Sequence, residues 1–360
     1  MCAFLSPSLE VGAGTVIVPR NFVAQPDETP GRFLGRIQRH LRDARETGLL
    51  LVLYGRCEAL RDLVLPTDLP VMALEGRPCH PGPMAGAFLY VCPDTVAVTR
   101  INREGRTRAV VVEDKEFRLC LFGGVGGHAT TASRPDQTRQ TFLQLDETLR
   151  RADFSISDVI RTWFYNEDIL AWYGEFNQVR TAFYRRKAFR TGSSPASTGV
   201  GGSYADGSAL GLAGWALQCR DDHARAVEVG SPLQCPAPNY GSSFSRAMEL
   251  RAGGVRRIFV SGTASIAAGG ESMWTGDIDR QIDRTMEVIA ALLASRDFGW
   301  ADVDRATAYF KSAADLPHWE RWLERHGLGR LPYVPVEGAV CRDDLLFELE
   351  VDAAAPAIAF

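Results

Sequence analysis

Asp153-Phe154-Ser155-Ile156-Ser157-Asp158-Val159-Ile160-Arg161 recurs as Asp297-Phe298-Gly299-Trp300-Ala301-Asp302-Val303-Asp304-Arg305, with five of nine positions identical at an offset of 144. Upstream, Gln137 and Thr141 match Gln281 and Thr285 at the same offset. Self-similarity over such a distance marks a structural unit present twice. Working outward from the repeat, a helix is expected before each copy, over 136–152 and 277–295. In the second of these, Ile282, Met286, Ile289, Leu292 and Leu293 follow helical spacing. A strand is expected within each copy, Val159 to Tyr165 and Val303 to Phe310.

Further amphipathic helices are expected around 170–187 and 316–326, then apolar strands at 208–218 and 345–351. Hairpin-like stretches at 108–122 and 247–262 come first in each copy. Each unit reads β-β-α-β-α-β, an α+β sheet with two helices on one face. The first 105 residues hold similar ingredients, a helix near 31–47 and strands near 49–54 and 86–99, without a clean repeat. The expected division is a degenerate unit over 1–107, a second unit over 108–230 and a third over 231–360. Ser231 to Gly241, rich in Pro and Gly, reads as the linker between the last two.

The 360 residues are 46% hydrophobic and 23% charged, and 40 Lys and Arg against 44 Asp and Glu leave a net charge of −4. That balance suits a globular chain and argues against a polycationic nucleic-acid binder. No run of eighteen apolar residues is present, so no membrane helix is expected, and the N-terminus does not read as a signal peptide. The eight cysteines form no CxxC and the six histidines no HxH or HxxxH pair, so neither a metal nor a disulfide framework is expected. Reduced thiols in a cytoplasmic protein are the expected state. The glycine runs 123–127 and 199–202 fit neither a dinucleotide fingerprint nor a Walker loop. They read as turns where backbone crowds a neighbouring unit or ligand, and no cofactor is expected. His128, beside the first run, is the one histidine of interest.

Phe244-Ser245-Arg246-Ala247-Met248, Ile258-Phe259-Val260-Ser261-Gly262-Thr263-Ala264-Ser265-Ile266, then Gly276-Asp277 and Gln281, resemble the RidA/YjgF superfamily. Its members are short trimeric proteins whose ligand clefts lie between adjacent sheets. A chain with two or three such units resembles the chorismatases, in which one polypeptide is similar to a covalently joined trimer. The run Ala339-Val340-Cys341-Arg342-Asp343-Asp344-Leu345-Leu346-Phe347-Glu348-Leu349-Glu350 agrees with that branch. The spacing of Cys341 to Glu348 resembles the type that forms 3-hydroxybenzoate. The resemblance implies a pseudo-trimeric, monomeric enzyme that needs no cofactor and cleaves chorismate to pyruvate and 3-hydroxybenzoate. It departs from the imine-deaminating members. These carry an arginine after a proline where this chain has Ser197, after Pro195-Ala196, and Val334, after Pro332-Tyr333.

In the last strand Leu345, Phe347, Leu349 and Val351 fall on one face, and Leu346, Glu348 and Glu350 on the other. Periodicity does not separate the two glutamates and by itself leaves both facing solvent; the resemblance selects Glu348 as the acid. Protonating the methylene of an enol ether yields an oxocarbenium ion, so the acid must be protonated near neutral pH. Apolar neighbours such as Leu346 and Cys341, and the substrate's two carboxylates, would raise its pKa. A dianion also needs cations, and arginine grips carboxylates in bidentate fashion. Arg246 is the first choice, with Ala247 expected beside it on the cleft. Arg180 and Tyr184 follow, because Asn177-x-x-Arg180-x-x-Phe183-Tyr184 resembles the superfamily's cleft-bordering helix. Tyr165 is expected either on the substrate or in the core. Cys341 is expected on the cleft wall. The competing readings are hydrolysis to 3,4-dihydroxycyclohexa-1,5-diene carboxylate, an imine or enamine deaminase, and a non-catalytic ligand-binding protein.

Overall fold

The computed structural model describes residues 16–126 and 131–357, so His128 lies outside the described residues. The first third carries β1 (Val18–Val23), α1 (Pro30–Ala44), β2 (Glu46–Gly55), α2 (Cys57–Leu60), β3 (Val71–Glu75), β4 (Arg77–Pro78) and β5 (Met84–Pro93). Next come β6 (Val98–Arg103), β7 (Arg106–Glu113), β8 (Phe117–Gly126), α3 (Arg134–Arg151), β9 (Val159–Asn166), α4 (Ile169–Tyr184), β10 (Ala196–Gly201) and β11 (Leu210–Cys219). The last third holds β12 (Arg225–Val229), β13 (Ala247–Ala252), β14 (Val255–Ala264), α5 (Ile278–Ala294), β15 (Val303–Phe310), α6 (Leu316–Arg325), β16 (Tyr333–Glu337) and β17 (Phe347–Pro356).

The repeated nonapeptide has a physical explanation. Asp153 and Asp297 leave α3 and α5 in left-handed conformation, at φ 58° and 57°. The amides of Phe154 and Phe298 then donate back to the carbonyls of Leu149 and Leu293, which closes each helix end. Asp158 and Asp302 accept from the backbone N–H of Ser155 and Gly299, at 2.8 and 2.7 Å, and start the next strand. Asp277 caps α5 by accepting from the Arg280 N–H at 3.1 Å.

Three sheets result, ordered β1-β5-β2-β3, β10-β9-β11-β8-β7-β6 and β12-β13-β14-β17-β15-β16-β4. Each contains the same four-stranded motif, a parallel pair followed by two antiparallel neighbours: β3-β2-β5-β1, β10-β9-β11-β8 and β16-β15-β17-β14. The parallel strands β10 and β16 add one strand to the β-β-α-β-α-β pattern. Strand β10 also takes in Gly199 to Gly201 of the 199–202 glycine run, with Gly202 just beyond it, and residues 123–126 likewise belong to β8, so strand stands where turns are expected. The crowding expected there is present, since a Cβ on Gly123 would meet Leu50 Cδ1 at 2.7 Å and one on Gly202 would meet Leu74 Cδ1 at 2.7 Å. Strands β6 and β12 lie before residues 108 and 231 in the chain, yet they hydrogen-bond into the second and third sheets.

The helices pack outside, α3 and α4 on the second sheet and α5 and α6 on the third. The inner faces meet in a common core containing Tyr54, Phe88, Tyr90, Trp163, Tyr165, Trp215, Phe259 and Tyr309. Tyr54, Tyr165 and Tyr309 stand at matching places on β2, β9 and β15. The Tyr54 hydroxyl bonds those of Tyr165 at 2.9 Å and Tyr309 at 3.1 Å. In the adjacent strands they face Gly86, Gly211 and Glu348. The three sheets are thus related by a pseudo-threefold arrangement in which only one carries a carboxyl group at that position.

Candidate active site

Between the second and third sheets lies a cavity of about 650 Å³, bordered by α4, β10, β14, the 240–246 segment and the loop before β17. Glu348 projects into it from β17. Its neighbours Phe347, Leu349 and Val351 point the other way, onto α5, as the alternation of a strand requires. Room for the carboxyl comes from Gly262 on β14: a Cβ there would overlap Glu348 Oε1.

Glu348 and Glu350 share a strand face, and their surroundings make them opposites. Glu350 Oε2 accepts from Arg161 Nη2 at 2.6 Å and Trp163 Nε1 at 2.8 Å, and Thr198 Oγ1 also donates to it. Arg305 Nη1 holds Oε1 at 2.9 Å. Despite complete burial, these arginines keep the Glu350 carboxyl below its ordinary range. Glu348 is 4% exposed and has no cation within ion-pair distance among the described residues. Burial, reinforced by the negative charge of Glu350, pushes its pKa up to about 8. Glu348 is therefore the carboxyl that carries a transferable proton at neutral pH.

Three of the cations lining the cavity, Arg180, Arg246 and Arg342, lack carboxylate partners among the described residues. Arg180, 1% exposed, donates from Nη2 to Asn177 Oδ1 at 2.6 Å, and its Nε has no acceptor among the described residues. Arg246 donates from Nε and Nη2 to the Cys235 carbonyl at 3.1 and 2.9 Å and lies 5.3 Å from the Tyr240 ring centroid. Arg342 donates to the Gly270 carbonyl at 2.8 Å and also meets the Tyr240 ring, 5.6 Å from its centroid. None of the three is salt-bridged among the described residues. Buried guanidinium groups left this way favour an anionic guest.

Cys341 lies on the same wall, packed with Ala264, Ile266, Val340 and Leu345. Burial, then the proximity of Glu348, pushes its thiol up to about 12, so it is neutral and not a nucleophile. The structure thus brings together Glu348, Arg246, Arg180 and Cys341.

Three other expected residues lie elsewhere. Ala247 is fully buried against α5 in the core of the third sheet, because it alternates with Arg246 at the start of β13. Tyr165 belongs to the central tyrosine cluster, and its hydroxyl is taken by Tyr54. Tyr184, one turn beyond Arg180, packs under α4 against Phe142 and Phe189. The wall residue is Leu345 rather than Leu346, because β17 begins only at Phe347 and strand alternation does not extend back into the loop. Ser197, where a deaminase-type arginine would stand, borders the cavity and accepts from Thr162 Oγ1 at 3.0 Å. Arg342, Tyr173 and Tyr240 also line it, and sequence reasoning misses all three. Arg342 has only its place beside Cys341 to mark it.

No family model matches the chain, and no curated protein matches it. Among solved structures, a crystal structure of a chorismatase superposes with a TM-score of 0.67 at 19% identity, covering 95% of this chain and 99% of that one. The chain has the chorismatase fold. Yeast Mmf1 and the YjgF gene product of E. coli, both 18% identical, cover 36% and 35% of this chain at TM-scores of 0.30 and 0.29. Within the chorismatase fold, the cavity lies at one of three sheet-to-sheet junctions, the one that carries Glu348.

Proposed function

We propose that the protein is a chorismatase that cleaves the enolpyruvyl ether of chorismate. The observation that carries this reading is the pairing, in one cavity, of a buried acid protonated up to about pH 8 with three arginines that have no carboxylate partner among the described residues. An enol ether dianion requires both. The arginines take the two carboxylates, and a cavity of about 650 Å³ falls in the range for small-molecule sites. Glu348 donates its proton to the enolpyruvyl methylene carbon, forming an oxocarbenium ion. The ring's C4 hydroxyl then displaces pyruvate, and aromatisation gives 3-hydroxybenzoate. Alternatively, water attacks the oxocarbenium carbon and 3,4-dihydroxycyclohexa-1,5-diene carboxylate is released with pyruvate. Cys341 favours the first course, because a neutral thiol on the wall fills space without holding a water in place.

A deaminase reading is weakened by Ser197, which cannot anchor a carboxylate as an arginine would. The three sheets already supply each other's neighbours within one chain, so the protein is proposed to act as a monomer, without metal or cofactor, in the cytoplasm. Among the described residues, no helix is long and apolar enough to cross a membrane. The test is to incubate pure protein with chorismate and couple released pyruvate to NADH oxidation. Stoichiometric pyruvate supports the proposal. Chorismate left intact, with turnover of small imines, would replace it with the deaminase reading.

A further inference from the structure

The junction between the first and second sheets keeps part of the same apparatus. Ala109 pairs with Phe122 as Ala247 pairs with Val260, and Gly126 pairs with Gly211 as Ala264 pairs with Glu348. Strands β8 and β14 also carry an irregularity at the matching place, between Phe122 and Val125 and between Val260 and Thr263. By this register Arg108 corresponds to Arg246, Gly124 to Gly262 and Gly211 to Glu348. At the third junction the corresponding Gly86 is crowded. A Cβ on it would meet Val334 Cγ1 at 2.7 Å and the Phe22 carbonyl at 2.5 Å. The second junction is open, with a cavity of about 260 Å³.

We infer that this second cavity is a non-catalytic binding site for a small aromatic monocarboxylate, held by Arg108 and Tyr204. Arg108 is half-buried, donates to the Gly124 carbonyl, and forms no ion pair with a carboxylate among the described residues. Desolvation disfavours its charged form, a cost that a bound carboxylate would relieve. The Tyr204 hydroxyl is buried and has no hydrogen-bond partner among the described residues. It sits where a side chain on Gly211 would begin, so it fills the start of the path that the Glu348 side chain takes at the other junction. A phenol with its pKa raised well above 10 donates a hydrogen bond without transferring its proton. The site therefore binds and does not catalyse. Leu65, Leu69, Met72 and Leu210 supply the apolar wall that a ring needs. Asp206, the acidic group on the rim, accepts from the Ser208 N–H at 3.0 Å. Arg106, also on this cavity, is exposed and lies on a rim that carries Asp206, so Arg108 is the one half-buried arginine and suits a monoanion rather than a dianion.

The probe is benzoate, titrated by ligand-observed NMR in an Arg246→Met background that weakens the larger cleft. Benzoate binding should persist there, and adding Arg108→Met should weaken it about tenfold or more, the scale of a lost charge-assisted pair. Adding Tyr204→Phe, which keeps the ring, should weaken it by a smaller factor and guards against a folding defect in the arginine variant. Loss of all benzoate binding in Arg246→Met, or binding indifferent to both second-cavity substitutions, overturns the inference. Neither outcome depends on which substrate the larger cleft turns over.

Discussion

Replacing Glu348 with Gln keeps the shape of the side chain and removes its ionisation. In the folded protein the carboxyl titrates at about 8, against an ordinary value of 4.5. A folded-state pKa raised in this way leaves stability intact below pH 4.5 and withdraws it as pH climbs through 8, because the unfolded chain releases the proton first. At 1.36 kcal/mol per pH unit, wild type loses about 1 kcal/mol by pH 5, about 3 by pH 7 and about 5 by pH 9. Glu348→Gln escapes this loss, so it should be more stable than wild type by those amounts while losing its turnover. An acid that is held against its ionisation is a functional site maintained at the expense of stability. Urea unfolding of both proteins from pH 5 to 9 measures the difference. A gap between the two curves that does not widen with pH would refute the buried, protonated state of Glu348.

Gly262→Ala puts a methyl group where Glu348 Oε1 lies, and kcat should fall about a hundredfold with the fold intact, the scale expected for a displaced catalytic group; circular dichroism and steady-state kinetics check both halves. Cys341→Ala should admit water and move product toward the dihydroxydiene acid with little change in chorismate consumption. A shift of about 1.4 kcal/mol in relative barriers changes the ratio tenfold, which chromatography of the products reads. Glu350→Ala strips Arg161 and Arg305 of a shared partner and should cost about 3–5 kcal/mol in stability, measurable by urea unfolding at pH 6.

The repeated Asp-Phe and Asp-Val signals make the two larger units legible, because they encode a helix exit, a cap and a strand start within nine residues. The two edge strands β6 and β12 are harder to assign, since membership in a sheet is a matter of distant partners. Alternation along β17 correctly divides Phe347, Leu349 and Val351 from Glu348 and Glu350. What it cannot supply is the difference between the two glutamates. That difference is made by Arg161 and Arg305, 189 and 45 residues away. The same limit applies to Tyr165, whose partner Tyr54 belongs to a third of the chain with no clean repeat. Ala247 escapes sequence reasoning for a local reason, the one-residue alternation at the start of β13 that turns Arg246 to the cleft and Ala247 to α5.

The role of Glu348 as proton donor is read from the pH dependence of chorismate consumption. If Glu348 delivers the proton, kcat for pyruvate release is level around pH 6 to 7 and falls about tenfold per unit above the acid's pKa near 8, and Glu348→Gln shows no such limb. Chorismate left unconsumed at every pH, or the same falling limb in Glu348→Gln at a wild-type rate, would rule out Glu348 as the acid.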